Sequence, residues 1–384
     1  MGFWFAYARQ DGHTDQESAE RDISRTGART NDMADHKKVR SRRSRLLRAA
    51  VLTVVGLLVV GAGAAGYAYW KLDANIKSVD INAQLGAGRP PASTDGSFNV
   101  LVLGSDSRAG SNGNIAGGDT GGTARSDTAM VVHVNQAHTH ADVVSIPRDT
   151  LVPRPDCLAS NGKTVPGAKS AMFNAAFEVG GPACAVKTTE ALTGLRMDHF
   201  VEIDFSGFAG FIDAIGGVDV TTTVNIADKD SGLNLKAGTH HLNGTDALAF
   251  VRTRHGVGDG SDLGRIELQK QMVKSIMTQV GGSGLTTNPA KLFSVADKLT
   301  KSITTDSELG SVSSLMGLAG TLKGIGPNDL TMITLPVGTA PSDPNRVVQL
   351  QPRADQLWAA LKGDQQVPQS IVSSQPTNPA EATR

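Results

Sequence analysis

FNVLVLGSDSR, residues 98–108, governs the reading of the whole chain. The run Phe98 to Leu103 is rich in Val and Leu and continuous rather than alternating, as a strand buried on both faces should be. It passes at once into GSDSR, which puts Asp106 and Arg108 at the strand's carboxyl end. The arrangement recurs: ARSDT sets Arg125 and Asp127 just before a second run, Thr128 to Asn135, and SIPRDT sets Arg148 and Asp149 just after a third, Asp142 to Ile146. In open α/β sheets ligands bind beyond the carboxyl ends of the strands.

Working outward, helical patterns alternate with further strands. A helix is expected near Ala183 to Leu192, a strand near His199 to Ile203, a helix from Phe205 to Ile215 with Asp204 as its N-cap, and a strand at Val218 to Thr222. Later come helices from Asp262 to about Val280, near Ala290 to Leu299 and near Ser307 to Leu322, a strand at Leu330 to Leu335, and a helix around Ala354 to Leu361. The alternation predicts an α/β fold, a single α-β-α sandwich domain without internal repeats.

More charge gathers downstream. AFVRTRH carries Arg252 and Arg254 two apart, so an extended segment would aim both guanidinium groups one way, and DLGRIELQ sets Asp262, Arg265 and Gln269 at spacings of three and four, on one helix face. A lone Arg/Asp pair is more often structural than functional. Five such motifs at element ends point instead to a polyanion. The planar guanidinium fork matches phosphate oxygens and never deprotonates. Carboxylates among the arginines, with no thiolate cluster or HExxH pattern, suit a hard cation such as Mg²⁺ that shares its ligands with substrate phosphates. Together these describe a pyrophosphate site. His138, His140, His199, His240 and His241 lack such company and read as surface or core residues.

Composition narrows the field. The chain has 384 residues, 37 basic and 37 acidic side chains, 4% aromatics and two Cys. Neutrality excludes the basic footprint of a dedicated nucleic-acid binder, and two Cys exclude a disulfide-built scaffold or a four-thiolate zinc site. The neutrality is uneven, since residues 1 to 48 hold 11 basic against 7 acidic side chains. They lead into Ala49 to Trp70, 22 residues without a charge, roughly 33 Å as a helix and enough for one membrane span. Seven basic residues between Lys37 and Arg48 keep the preceding side cytoplasmic, and Tyr67, Tyr69 and Trp70 suit the far interface, so residues 71 to 384 are expected outside, tethered by an uncleaved signal anchor. The expected organisation is a disordered basic tail over 1–48, a span over 49–70, a polar linker over 71–97, a catalytic domain over 98–362 and a frayed tail over 363–384. Met33 begins MADHKKVRSRRSR, a conventional start, and the mass of the intact N-terminus decides between it and Met1. In an oxidising compartment Cys157 and Cys184 are expected to pair, closing a loop of about 28 residues worth roughly 3.5 kcal/mol; two separate buried thiols are the alternative.

GSDSR, RSDT, SIPRDT, the Asn-Ala-Ala-Phe…Gly-Gly stretch from Asn174, IGGVDV, LNGTDALAFVRTRH and the DxxR helix follow one another in a specific order. In this the sequence resembles the LytR-CpsA-Psr family of cell-wall glycopolymer ligases, from about Phe98 to Val280 and more weakly to about residue 362. The resemblance implies an extracytoplasmic phosphotransferase that moves a glycopolymer from an undecaprenyl-pyrophosphate carrier onto peptidoglycan with Mg²⁺. It implies Asp106 and Asp127 as metal ligands and Arg125, Arg148, Arg252, Arg254, Arg265 and Gln269 around the pyrophosphate, with Arg108 a weaker member. Asp262 would orient the arginines or assist proton transfer. The helix of Phe205, Phe208 and Phe211 either lines the family's polyprenyl tunnel or is ordinary core.

The sequence departs from the family twice. Leu268, Gln269 and Lys270 stand where Arg, Gln, Gln is usual, which removes one phosphate-binding arginine, and Ala109 to Ala124 is long and Gly-rich, a lid or a tolerated insertion. No accessory domain is expected after the catalytic one. Two rival functions share these residues: a polyprenyl-pyrophosphatase, with water as acceptor, and a membrane-bound regulator or lipid-binding module without turnover. The metal carboxylates argue against the second.

Overall fold

The computed structural model describes residues 30–105, 126–159, 161–255, 257, 262–282 and 284–374, in two compact units that part at Gly66. The helix α1, Thr30–Asn75, supplies the described part of the first unit and continues into the second. Its portion Arg42–Asn75 is long and apolar enough to cross a membrane, and Leu52 and Val60 are about 70% exposed. Residues 30–48, expected to be disordered, are helical: no Gly or Pro interrupts them, and Ala, Leu, Lys and Arg extend a helix at little cost.

The second unit is built on a seven-stranded mixed sheet. Its strands are β1 Lys77–Val79, β2 Phe98–Ser105, β3 Ser126–Val134, β4 Ala141–Ser145, β5 His199–Asp204, β6 Ile303–Asp306 and β7 Leu330–Thr334, in the order β1-β6-β5-β2-β3-β4-β7. β2 runs parallel to β5 and β4 to β7, while β3 is antiparallel to both β2 and β4. The carboxyl ends of β2, β4 and β5 and the start of β3 therefore share one edge.

Helices pack on both faces, as the α-β-α expectation requires. They are α2 Asn82–Leu85, α3 Phe173–Thr193, α4 Phe205–Ile215, α5 Gly244–Arg252, α6 Asp262–Gly282, α7 Pro289–Ser302, α8 Val312–Leu322, α9 Arg353–Lys362 and α10 Gln369–Val372. Strand side chains alternate between faces. Leu101, Leu103, Val131, Val144, Phe200 and Ile333 meet α3 and α9 in the larger core, while Val102, Met130, Val143 and Met332 face Val273 of α6. A separate apolar cluster joins α4, α5, α6 and α7 to the hairpin of Val218–Thr222 and Gly238–Leu242.

The linker and the C-terminal tail do more than expected. β1 forms the edge of the sheet, Ile81 and Leu85 are buried, and the Arg89 Nη2 donates to Glu190 Oε1 (2.7 Å) and to the Met197 carbonyl (2.6 Å), clamping the linker to α3. Val367 and Ile371 enter the same core, so the chain is docked as far as α10. In both segments a few apolar anchors suffice within a polar average. Residues 375–384 lie outside the described residues. Cys157 and Cys184 form a disulfide.

Two local features aim the site. Asp204 caps α4, its Oδ1 accepting from the Gly207 amide (2.7 Å) where β5 ends. IGGVDV turns through Gly216 (φ 97°) and Gly217 (φ 85°), the left-handed region that favours glycine. The AFVRTRH segment is not extended as expected: α5 runs to Arg252 and stops, with Thr253 extended, because Asn243 caps its start (Oδ1 from Asp246 N, 2.9 Å) and favours the helix.

Candidate active site

Asp127 and Thr128 of β3, Phe205 of α4, Arg252 and Arg254 at the end of α5, and Arg265 and Gln269 of α6 line one cleft of ≈ 200 Å³ with Asp228, Asp230, Ser231, Val251 and His255. Asp127 stands at its centre of charge. Its Oδ1 accepts from Arg148 Nη1 (2.7 Å) and lies 3.9 Å from Arg254 Nη2, while its carbonyl accepts from Arg265 Nη2 (2.8 Å). Burial raises the Asp127 pKa, but Arg265, Arg148 and Arg254 outweigh it and hold the carboxyl below its usual value. The second oxygen, Oδ2, has no hydrogen-bond partner among the described residues.

Arg148 does not line the cleft. It lies between carboxylates, with Asp127 on one side and Asp149 Oδ2 at 3.5 Å from its Nε on the other. Asp149 in turn meets Arg346 Nη1 at 3.5 Å, on the strand Asp343–Gln349. Gln269 Nε2 donates to Thr128 Oγ1 (2.9 Å) and to the Val251 carbonyl (3.3 Å), tying α6 to β3 and α5. Arg252 lies 5.3 Å over the ring of Phe205, a cation–π contact that fixes its plane.

Asp228 lines the same cleft. Its Oδ2 accepts from the amides of Arg254 (2.8 Å) and His255 (2.9 Å), and its Oδ1 from those of Asp230 (2.9 Å) and Ser231 (3.4 Å). Burial raises its pKa, and the four amides bring it down to about 2. This buried carboxylate holds the chain just past α5, which brings Arg254 to the cleft although the segment is not a strand.

Next to the cleft lies a second hollow of ≈ 360 Å³, walled by Val102, Phe208, Phe211, Met272 and Ile276 among others. Thr128, Phe205, Val251 and Gln269 line both spaces. The Phe stripe of α4 thus faces a cavity. Leu268 is fully buried among the apolar side chains of α4, α5 and α6 and lines neither space.

Of the residues singled out from sequence, Asp127, Arg252, Arg254, Arg265 and Gln269 come together and Arg148 joins them through Asp127. Asp106, Arg108 and Arg125, and the side chain of Asp262, lie outside the described residues. Asp228, Asp230, His255, Thr128 and Arg346 were missed. Asp228 and Asp230 left a weak signal around the turn-forming DSG, Thr128 and His255 close the RSDT and AFVRTRH motifs without having been singled out, and Arg346 sits in no recognisable pattern.

Residues 68–363 match the LytR_cpsA_psr family. The chain belongs to that family. Among its members, the cell wall biosynthesis protein LcpA of Corynebacterium glutamicum is 34% identical over 316 residues, 75% of this chain and 59% of LcpA. The polyisoprenyl-teichoic acid–peptidoglycan teichoic acid transferase TagT of Bacillus subtilis is 32% identical over 260 residues, 63% of this chain and 74% of TagT. A solved LytR-Csp2A-Psr enzyme from Actinomyces oris superposes with a TM-score of 0.55 at 25% identity, covering 74% of this chain and 95% of the enzyme. This member of the family spans about three fifths of the length of LcpA.

Proposed function

We propose that the protein is a membrane-anchored phosphotransferase that moves a glycopolymer from a polyprenyl-pyrophosphate carrier, undecaprenyl in the family's case, onto peptidoglycan. The observation that carries this is the junction of the two spaces: a cleft of arginines opening into an apolar cavity across Thr128, Phe205, Val251 and Gln269 matches a diphosphate head joined to a hydrocarbon tail. The relatives named as transferases of teichoic acid to peptidoglycan support it.

In this reading Arg252, Arg254 and Arg265 offset the diphosphate charge and the charge that develops on the leaving polyprenyl phosphate, the main task of a phosphotransferase. A hydroxyl of the acceptor glycan attacks the phosphorus that carries the sugar, and the bridging P–O bond breaks toward the lipid. Arg148, braced by Asp149 and Arg346, keeps Asp127 ionised and aimed. Mg²⁺ fits the donor set: Asp127 is an ionised carboxylate with its Oδ2 uncommitted at the cleft, and Asp106, by family likeness, is its companion. When bound, the ion would neutralise diphosphate oxygens.

In this reading the catalytic domain, residues 98–362 with the linker docked to it, faces the outside of the cell, which the basic residues before the span support. α7, which walls the cavity with Leu299 and Ser302, is bonded to the last turn of α1 through Asn75 Nδ2, which donates to Asp297 Oδ1 (3.1 Å) and Thr300 Oγ1 (3.2 Å). The test is release of polyprenyl phosphate by the full-length protein from a polyprenyl-pyrophosphate saccharide, with Mg²⁺ and peptidoglycan fragments. Sugar phosphate appearing on the glycan supports the ligase. Release to water alone replaces it with a pyrophosphatase, and binding without turnover refutes both.

A further inference from the structure

The transfer requires a group that takes the proton of the incoming hydroxyl, and the arginines of the cleft are donors only. We propose that His255 is this general base, oriented by Asp228 and Asp230; the inference rests on the phosphotransferase reading above.

The two ends of the cleft differ. Thr128, Phe205, Val251 and Gln269 belong to the cavity as well, whereas Asp228, Asp230, Ser231 and His255, like Asp127 and the three arginines, line the cleft alone. With the tail in the cavity, the polyprenyl phosphate departs toward the shared end. Displacement at phosphorus is in line, so the acceptor oxygen arrives from the side away from the cavity, and His255 is a cleft residue that the cavity does not share.

His255 is built for the task. Its amide is held by Asp228 Oδ2 (2.9 Å), and its Nδ1 lies 3.6 Å from Asp228 Oδ1 and 3.4 Å from Asp230 Oδ2. Carboxylates on that side keep the ring proton on Nδ1 and leave Nε2 as the acceptor, the logic by which a carboxylate orients a catalytic imidazole. Nε2 has no hydrogen-bond partner among the described residues, and the side chain is 63% exposed, open to a polymeric acceptor. Among the described residues, Asp228 and Asp230 face its ring, and the other charged groups that line the cleft with it are Arg252 at the end of α5, Arg254 just past it, Arg265 of α6 and Asp127 of β3.

The step balances. The acceptor hydroxyl gives its proton to Nε2 as its oxygen bonds to the sugar-linked phosphorus, the bridging P–O bond breaks with its electron pair going to the polyprenyl phosphate, and the imidazolium returns the proton to that product or to water. The ligand atoms of Asp228, Asp230 and His255 also come within 4.8 Å of one another, as in a cation site. Asp228, however, already spends both oxygens on four amides.

The full-length protein, His255→Gln, His255→Ala, Asp230→Asn and Arg254→Ala are compared in detergent on a polyprenyl-pyrophosphate disaccharide with Mg²⁺ and a peptidoglycan acceptor. For His255→Gln, kcat is expected to fall about a hundredfold or more, with KM for the lipid unchanged and the acid limb of the pH–rate profile flattened. Asp230→Asn is expected to fall less, and added imidazole should partly restore His255→Ala. If His255→Gln keeps the wild-type rate and pH profile while Arg254→Ala is inactive, the base is elsewhere and the phosphotransferase stands. If raised Mg²⁺ alone restores His255→Gln, the histidine holds a cation and the proposal fails. A wild-type protein without transfer overturns the phosphotransferase reading and this inference with it.

Discussion

The cleft and the cavity share four residues and almost nothing else. At the cleft the charges hold one another: Asp127 is held by three arginines, Arg148 behind it by two carboxylates, and Arg254 through the amide that Asp228 holds. In the cavity the apolar walls are fixed by no pairing, and Phe208, Phe211, Met272 and Ile276 differ from core residues only in that, among the described residues, no side chain fills the space before them. Half-buried charges must be satisfied to persist, so a polar site is written into the sequence at strand ends and caps. An apolar site obeys the statistics of the core and is visible only as a departure from close packing.

That contrast can be broken. The largest expected effect is at Arg265, 3% exposed and bonded to the Asp127 carbonyl. Arg265→Ala should lower single-turnover release by about a hundredfold, on the order of 3 kcal/mol, while affinity for the polyprenyl chain barely changes. An equal loss in chain affinity would mean that the two spaces are one site. Ile276→Lys strikes the other side: KM for a long-chain carrier should rise roughly tenfold, about 1.4 kcal/mol, with a short-chain analogue turned over at the wild-type rate. Equal effects on both chain lengths would show that the tail does not lie there.

Gly207→Ala sharpens the comparison by moving a cavity wall without touching the cleft. A Cβ at Gly207 would fall on the Ser302 side chain, so α4 and α7 must part. The expected cost is about 1–3 kcal/mol, read as a lower Tm, with an altered chain-length preference. The smallest effect is at Asp228, whose folded pKa of about 2 lies below its ordinary value. Its contribution is present above the ordinary carboxylate pKa and is lost as pH falls through about 2. Asp228→Asn should cost about 1–2 kcal/mol near neutrality, and the difference from wild type in guanidinium midpoint should shrink toward pH 2. A constant difference would show that the charge is not what holds Arg254.

Much of the fold was legible because buried strands and capped helices leave strong local marks: α4 begins and ends where Asp204 and Ile215 predict. Segments whose structure depends on distant partners were not legible. Arg89 finds Glu190, and Val367 and Ile371 reach the larger core, contacts that a polar average conceals. The AFVRTRH segment shows how spacing misleads, since Arg252 and Arg254 both reach the cleft because the helix stops between them. The missing arginine at 268 also reads differently in three dimensions, because Leu268 supports the α4–α7 cluster from a position that lines neither space. His255 closes the AFVRTRH motif but was overshadowed by the two arginines before it, and Arg346 carried no signal at all; both are made particular by what stands across from them.

Arg265 reaches Asp127 across 138 residues of chain, Gln269 reaches Thr128 across 141, and Asp149 waits for Arg346. A ribosome releases β3 and β4 long before α6 and longer still before the strand of Arg346. Through most of its synthesis the protein holds its phosphate-reactive charges apart. No early fragment carries a working cleft, and the pairing of distant segments, slow by nature, times the onset of any chemistry to the docking of the last strands.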